Sequence, residues 1–252
     1  MVFRSYALTH VGRRRKQNED AFLRDDAINL WIVADGMGGH AAGEVASSEA
    51  VDTVFGMVKR GLPALGDTRA GLDENLVAQA SRLVESAIQA ATYMVFAISE
   101  VEKAKSGMGT TMSVALGVGN VLITGQVGDS RIYQVRDDMV TQLTEDHTLV
   151  AWQVKQGLIT QQEAAVSPHR NVITRSVGGR DYVEVDISVL DLKAGDRYLL
   201  CSDGLHGYLD DVEIPDLVSL GGDAAVEAFV GLANERGGSD NITVVLVEVD
   251  VV

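Results

Sequence analysis

Short apolar runs bounded by glycine or polar residues recur along the chain before residue 44 and again after residue 107. Runs of this length are typical of β-strands. Gly119 and Asn120 separate two of the runs and predict a tight hairpin turn. The predicted strands are Phe3–His10, Ala21–Asp25, Ile28–Asp35, Thr111–Gly117, Val121–Val127, Arg131–Arg136, Met139–Gln142, Glu184–Asp191, Arg197–Cys201 and Ile242–Val249.

Helical periodicity is clearest in residues 73–104, where apolar residues recur at spacings of three and four. Residues 44–60, Val212–Leu220 and Asp223–Glu235 are also predicted helices, and Asp146–Ala165 is polar and partly helical. Hairpins and clustered helices favour an antiparallel, layered α+β fold over a βαβ repeat. No internal repeat or composition shift divides the chain, which predicts one domain over residues 1–252.

Composition limits the class of protein. The hydrophobic fraction of 46% supports a large core. Cys201 is the single cysteine, which excludes an internal disulfide and a Cys/His zinc cluster and favours a reducing, cytoplasmic compartment. The sequence contains neither a secretory signal nor an apolar stretch of membrane-spanning length, so no membrane association is expected.

The formal net charge of −15 argues against nucleic-acid binding, which requires a basic surface. A solubilising acidic surface explains most of this charge. Some of the carboxylates are nevertheless candidates for holding cations, and the two interpretations are compatible.

Several carboxylates follow apolar runs and stand beside small or amide residues. Any single Asp-Gly pair is most simply a turn at the end of a strand. Because the arrangement recurs, these carboxylates are predicted to converge on one rim of a sheet, where a divalent cation would relieve their repulsion. They are Asp35, Asp129, Asp203 and Asp240, with Glu19 and Asp20 as an adjacent pair.

The type of side chain indicates the type of cation. Carboxylate and carbonyl oxygens suit Mg²⁺ or Mn²⁺, whereas Zn²⁺ prefers the clustered His and Cys that this chain lacks. Two such ions can activate water and neutralise a phosphoryl group. The run of arginines at residues 13–15 could supply a phosphate ligand, although a solvated basic patch is the favoured interpretation of Arg13 and Arg14.

Six motifs occur in order: RKQNEDA, VADGMGGH, GMGTT, GDSRIY, CSDGL and SDNITVV. Together they resemble the metal-dependent Ser/Thr protein phosphatases of type 2C, and most of all the minimal bacterial branch. The resemblance runs from about Ser5 to Val249. It implies a four-layer α+β sandwich, in which two antiparallel sheets pack face to face with helices on both outer sides. It also implies a flap-like segment at about residues 148–175.

The resemblance further implies a centre of two Mn²⁺ or Mg²⁺ ions, with a third, weaker ion in the bacterial branch. Each motif position then carries a role. Asp35 would bridge two ions: Glu19 and the Gly36 carbonyl would complete the coordination of one ion, and Asp203 and Asp240 would hold the other. Asp129 with Asp203 would hold the third ion. Asp20 would orient water behind the ligands, and Arg15 would bind phosphate.

Other residues are less clearly assigned. Met37 stands where animal members of the family have a histidine proposed as general acid. His40 is an alternative acid for the leaving group, or else a structural or exposed residue. His147 and His169, near the edges of the flap-like segment, are interpreted as loop or capping histidines. Cys201 is interpreted as core, because no C-x5-R loop surrounds it.

The favoured hypothesis is a cytoplasmic enzyme that hydrolyses phosphoserine and phosphothreonine in proteins and opposes a bacterial Ser/Thr kinase. Water activated by the metal ions would attack phosphorus directly, without a phosphoenzyme. Two alternatives stay open: a binding protein that uses the fold without catalysis, and a phosphatase dedicated to one partner. A monomer is the default state.

Overall fold

The computed structural model describes residues 1–38, 42–66 and 74–250, and its strands form two sheets. One sheet has the order β1-β11-β10-β7-β8 and the other β2-β3-β5-β6-β9, with β4 paired to β3. All the strand pairs are antiparallel. The strands are β1 Val2–His10, β2 Asp20–Asp25, β3 Leu30–Met37, β4 Gly109–Thr110, β5 Met112–Val118, β6 Val121–Val127, β7 Arg131–Arg136, β8 Met139–Gln142, β9 Asp186–Asp191, β10 Arg197–Cys201 and β11 Ile242–Asp250.

Helices cover both outer faces of this pair of sheets. The two longest pack together against the β3 side, and the helices that follow β10 pack against the other sheet. They are α1 Ala42–Gly61, α2 Glu74–Val101, α3 Leu149–Lys155, α4 Gln161–Ala165, α5 Asp203–His206, α6 Ile214–Ser219 and α7 Gly222–Glu235. The predicted α+β sandwich of four layers is confirmed.

Alternation along the central strands explains the layers. In β3, Trp31 and Val33 point into the space between the sheets, while Leu30 and Ile32 face α1 and α2. Because successive strand residues point to opposite faces, a strand that is covered on both sides must be apolar throughout. The apolar run of β3 in the sequence therefore indicates a central strand rather than a helix.

Cys201 belongs to the core between β10 and α7, where it is fully buried. Burial raises the pKa of its thiol to about 12, so the thiolate that a nucleophile requires is not populated near neutral pH. The interpretation of Cys201 as a core residue is confirmed.

Several predicted boundaries were wrong. Strand β3 begins at Leu30 rather than residue 28, because Asn29 has φ +54° and forms part of a turn. The long helix ends at Val101, three residues before its predicted end. Strand β4 and helix α5 were not predicted at all. The Gly119 turn was correct: its φ is +60°, and it joins β5 to β6.

A buried ion pair fastens the start of β10. The Asp196 side chain, 1% exposed, accepts hydrogen bonds from Nε and Nη2 of Arg136, both at 2.6 Å. Burial acts to raise the pKa of Asp196, but these bonds and those from Lys193 N and the Tyr198 hydroxyl outweigh it, so the net pKa is lowered. Asp196 therefore stabilises the fold above its unfolded pKa of about 3.9, and this contribution is lost as pH falls through the folded pKa.

We expect Asp196→Asn to lower the free energy of unfolding by about 2 kcal/mol at pH 7, because it weakens charge-assisted hydrogen bonds in a buried site. Urea unfolding should show the difference from wild type shrinking below about pH 4. Asp250→Asn, which breaks the exposed pair with Arg4, is the matched control. It should change neither the free energy of unfolding nor its dependence on pH. A difference that is constant with pH would contradict the assignment of this stability to the charged form.

None of the helices in the described residues has both the length and the apolar character needed to cross a bilayer.

Candidate active site

A cavity of about 400 Å³ opens where β3 ends and where the loops after β6 and β10 meet it. All six predicted metal ligands line this cavity, together with the predicted phosphate ligand. Its lining consists of Arg15, Glu19, Asp35, Gly36, Met37, Gly38, Asp129, Asn171, Ile173, Asp203, Asp240 and Asn241. Residues that are more than 200 positions apart in the sequence thus share one site.

The pairing of β2 with β3 places Asp20 directly opposite Asp35. The Asp35 backbone is fixed by Thr111, whose hydroxyl accepts from Asp35 N at 2.8 Å and whose N–H donates to Asp35 O at 2.9 Å. The Thr111 hydroxyl also contacts the Ser130 hydroxyl at 2.7 Å. One threonine therefore joins the VADG, GMGTT and GDSR motifs.

Gly36 sits where only a glycine fits. A Cβ at this position would lie 2.1 Å from Gly43 O and 2.5 Å from Glu19 O, both backbone atoms. The Gly36 N–H donates to Glu19 O at 3.1 Å, which ties the end of β3 to the residue before β2. The glycine is thus needed for the close approach of β3 to α1 and to Glu19.

Asn241 connects the two ends of the site. Its Oδ1 accepts from Glu19 N at 2.8 Å, and its Nδ2 donates to Val11 O at 3.0 Å and to Gln17 O at 2.9 Å. Its own N–H donates to Asp240 Oδ1 at 2.8 Å. Since both Nδ2 hydrogens and Oδ1 are used in these bonds, Asn241 connects the backbone on either side of the site.

Asp20 lies behind the cavity rather than on its lining. The Ser202 hydroxyl donates to Asp20 Oδ2 at 2.8 Å and in turn accepts from Thr243 N. The other oxygen, Asp20 Oδ1, is buried with no hydrogen-bond partner in the described residues. A buried carboxylate oxygen without a partner is costly, and such an atom indicates a group that is completed by a bound species.

Helix α5 begins at Asp203 and ends at His206, and it brings Asp203 beside Asp129. His206 Nε2 donates to the Asp129 carbonyl at 2.9 Å. Because that carbonyl can only accept, the proton of the ring lies on Nε2. Loss of solvation lowers the pKa of His206 to about 4, so the ring is neutral at pH 7.

The carboxylates raise one another's pKa. Burial, and then the charges of neighbouring aspartates, raises the pKa of Asp20 to about 7 and that of Asp35 well above its usual range. Burial and Asp203 likewise raise the pKa of Asp129 to about 7, and burial and Asp240 raise that of Asp203. Such a group of uncompensated acids attracts a cation strongly.

The described residues contain no ready-made cage of three or more His, Cys, Asp or Glu side chains. The assignment of the cavity carboxylates as metal ligands therefore stays a prediction. Arg15 Nη2 pairs with Asp240 Oδ2 at 2.6 Å, so one predicted ligand is neutralised by a side chain. The donor set still fits a hard divalent cation, because it consists of oxygens, faces one cavity and repels itself without a positive charge.

Arg15 lines the cavity, and its role as a phosphate ligand stays a prediction. Its guanidinium faces the cavity, as a phosphate ligand must, but its contact here is with Asp240. The other predicted member of the site, His40, lies outside the described residues. Its role as an acid therefore stays a prediction.

Sequence reasoning missed three residues. Asn171 and Ile173, from the segment after α4, line the cavity, and no motif marks them. His206 could have been found, because it follows Asp203 by three residues and a helix would place both on one side.

Comparison with known proteins places these features in a family. A family model described as protein phosphatase 2C matches residues 9–236. The chain belongs to the protein phosphatase 2C family. Asp240 and Asn241 lie just beyond the matched residues, but they complete the same cavity.

Individual members of the protein phosphatase 2C family are similar over nearly the whole chain. The serine/threonine phosphatase stp of Listeria innocua is 36% identical over 245 residues, which are 95% of this chain and 93% of stp. The serine/threonine protein phosphatase PstP of Mycobacterium tuberculosis is 38% identical over 99% of this chain but only 45% of PstP. The chain thus spans about half the length of PstP.

A solved structure of the PstP catalytic domain in complex with two manganese ions has the same fold. It aligns with a TM-score of 0.80 at 36% identity and covers 99% of both chains.

Proposed function

We propose that this chain is a protein serine/threonine phosphatase that hydrolyses phosphoserine and phosphothreonine in proteins. The observation that carries the proposal is the convergence of five carboxylates and one arginine on a single cavity: Glu19, Asp35, Asp129, Asp203, Asp240 and Arg15. Family membership supports the same reaction, since the related proteins described above are named serine/threonine phosphatases.

The residues divide into metal ligands and supporting groups. Asp35, Glu19 and the Gly36 carbonyl would hold one divalent ion, and Asp35, Asp203 and Asp240 would hold a second. Divalent ions held by oxygen ligands lower the pKa of bound water and neutralise charge on a phosphoryl group.

The supporting groups act through the protein. Asp20, behind the ligands and with one oxygen free, would accept a hydrogen bond from water in the site. Arg15 would bind the phosphate through its guanidinium once Asp240 is engaged by an ion. The cavity leaves room above these groups for a phosphorylated side chain.

Mn²⁺ or Mg²⁺ is the proposed cofactor, and the two manganese ions of the PstP structure support divalent metal dependence. A third ion between Asp129 and Asp203 is also proposed, because burial and mutual repulsion favour a cation there. The proposed substrates are phosphoproteins made by a Ser/Thr kinase in the cytoplasm. We further propose one catalytic domain, with residues 148–175 as a flap beside the cavity.

The test is phosphate release from a phosphothreonine peptide after chelation and after addition of Mn²⁺ or Mg²⁺. We expect turnover to fall below about 1% on chelation and to return with either metal, because the carboxylates alone repel a phosphate dianion. Turnover that survives complete removal of metal would contradict the proposal. Absence of turnover from folded protein with either metal would favour the binding-protein alternative.

A further inference from the structure

A buried histidine holds the flap, residues 148–175, at the point where it begins and ends. This histidine belongs neither to the proposed metal ligands nor to the proposed phosphate site. His147 immediately precedes the flap and is 6% exposed. It contacts the Gly128 backbone twice: His147 N donates to Gly128 O at 2.9 Å, and Gly128 N donates to His147 Nδ1 at 3.1 Å. Gly128 directly precedes the cavity residue Asp129.

The other ring nitrogen reaches across to the end of the flap. Since Nδ1 accepts a hydrogen bond, the proton of the neutral ring lies on Nε2, which lies 3.0 Å from Asp186 Oδ2 and donates to it. Arg175, the last residue of the flap, donates to Asp186 Oδ1 at 2.7 Å. Asp186 thus joins the residue before the flap to the residue that ends it.

Backbone pairing closes the flap at the same point. Thr174 N donates to His147 O at 2.8 Å, and Leu149 N donates to Val172 O at 2.8 Å. This pairing sets the position of two cavity-lining residues: Ile173 lies between the paired residues Val172 and Thr174, and Asn171 directly precedes Val172. An amide and an aliphatic side chain suit a polypeptide better than a phosphate, which is bound by cations.

We propose that His147 is a positioning residue that fastens the flap beside the cavity, so that Asn171 and Ile173 bind the polypeptide flanking the phosphorylated side chain. This inference rests on the proposed phosphatase function. His147 acts through the flap rather than through Asp129, because the turn at Asp129 has further ties. Gln126 Nε2 donates to Gly128 O at 3.1 Å, and His206 holds the Asp129 carbonyl.

The test compares two substrates with wild type and variants at saturating Mn²⁺: a phosphothreonine peptide and p-nitrophenyl phosphate, which has no flanking polypeptide. For His147→Asn we expect kcat/KM on the peptide to fall about tenfold more than on p-nitrophenyl phosphate, mainly through KM. Asp186→Asn removes a different contact from the point where the flap begins and ends. It should show the same larger loss on the peptide, also if His147→Asn folds poorly.

Glu145→Gln is the matched control. It breaks an exposed ion pair with Lys155 of the flap, and exposed pairs contribute little, so it should alter neither substrate's kcat/KM by more than about twofold. Equal losses on both substrates, or no loss with either His147→Asn or Asp186→Asn, would overturn the inference alone. Failure of the wild type to hydrolyse either substrate would overturn the proposed function and the inference with it.

Discussion

Asp35→Asn is expected to reduce phosphate release from a phosphothreonine peptide by about three orders of magnitude in kcat at saturating Mn²⁺. The reason is the position of Asp35 at the end of β3, where its carboxylate meets those of Asp20 and Asp203. An amide keeps the shape of the side chain, but it supplies one neutral oxygen instead of two charged ones. Glu49→Gln, which changes an exposed carboxylate of α1, is the matched control and should keep full activity.

The same substitution should stabilise the protein when metal is absent. Burial and neighbouring aspartates raise the pKa of Asp35, which means that its charged form is unfavourable in the fold. A neutral amide removes that repulsion, so the melting temperature in chelator should rise while activity is lost. A lower melting temperature in chelator, or full activity in the variant, would contradict Asp35 as a metal ligand.

The fold could be predicted from the sequence because its central strands are covered on both sides. The alternation in β3 and the apolar run of β11 leave few other ways to bury their side chains. The two elements that were missed are short: β4 has two residues and α5 has four. A two-residue strand and a single helical turn carry too few residues for a periodic pattern, and tertiary contacts form them.

The candidate site was predictable to the extent that it depends on strand ends. Asp35 lies near the end of an apolar strand and Asp203 follows another, so their carboxylates had to lie near the rim. Contacts between distant loops could not be read in the same way. The pairing of Arg15 with Asp240 and the burial of His147 depend on chain segments that meet only in three dimensions. His147 lies in a loop, as interpreted, but its burial and its partners on both ring nitrogens could not be predicted.

Arg15→Ala is expected to lower kcat/KM for the phosphothreonine peptide about 100-fold, and Arg15→Lys about tenfold. Alanine removes both the charge and the planar guanidinium, whereas lysine keeps the charge without the two parallel donors that match a phosphate. Arg14→Ala is the matched control. Arg14 is an exposed neighbour for which no ion pair is found among the described residues, and its loss should matter less than about twofold.

Arg15→Ala should lower the Mn²⁺ concentration that the enzyme requires, although it lowers kcat/KM for the peptide. In wild type, Arg15 Nη2 lies 2.6 Å from Asp240 Oδ2, so a metal ion held by Asp240, as proposed, would compete with the arginine for that carboxylate. Because the pair is partly exposed, the Mn²⁺ concentration for half-maximal activity should fall only about two- to fivefold when the arginine is removed. A lower kcat/KM for the peptide together with a lower Mn²⁺ concentration for half-maximal activity would support an arginine that moves from Asp240 to the phosphate as the metal binds. A higher Mn²⁺ requirement with an unchanged KM for the peptide would instead make Arg15 a structural support of Asp240.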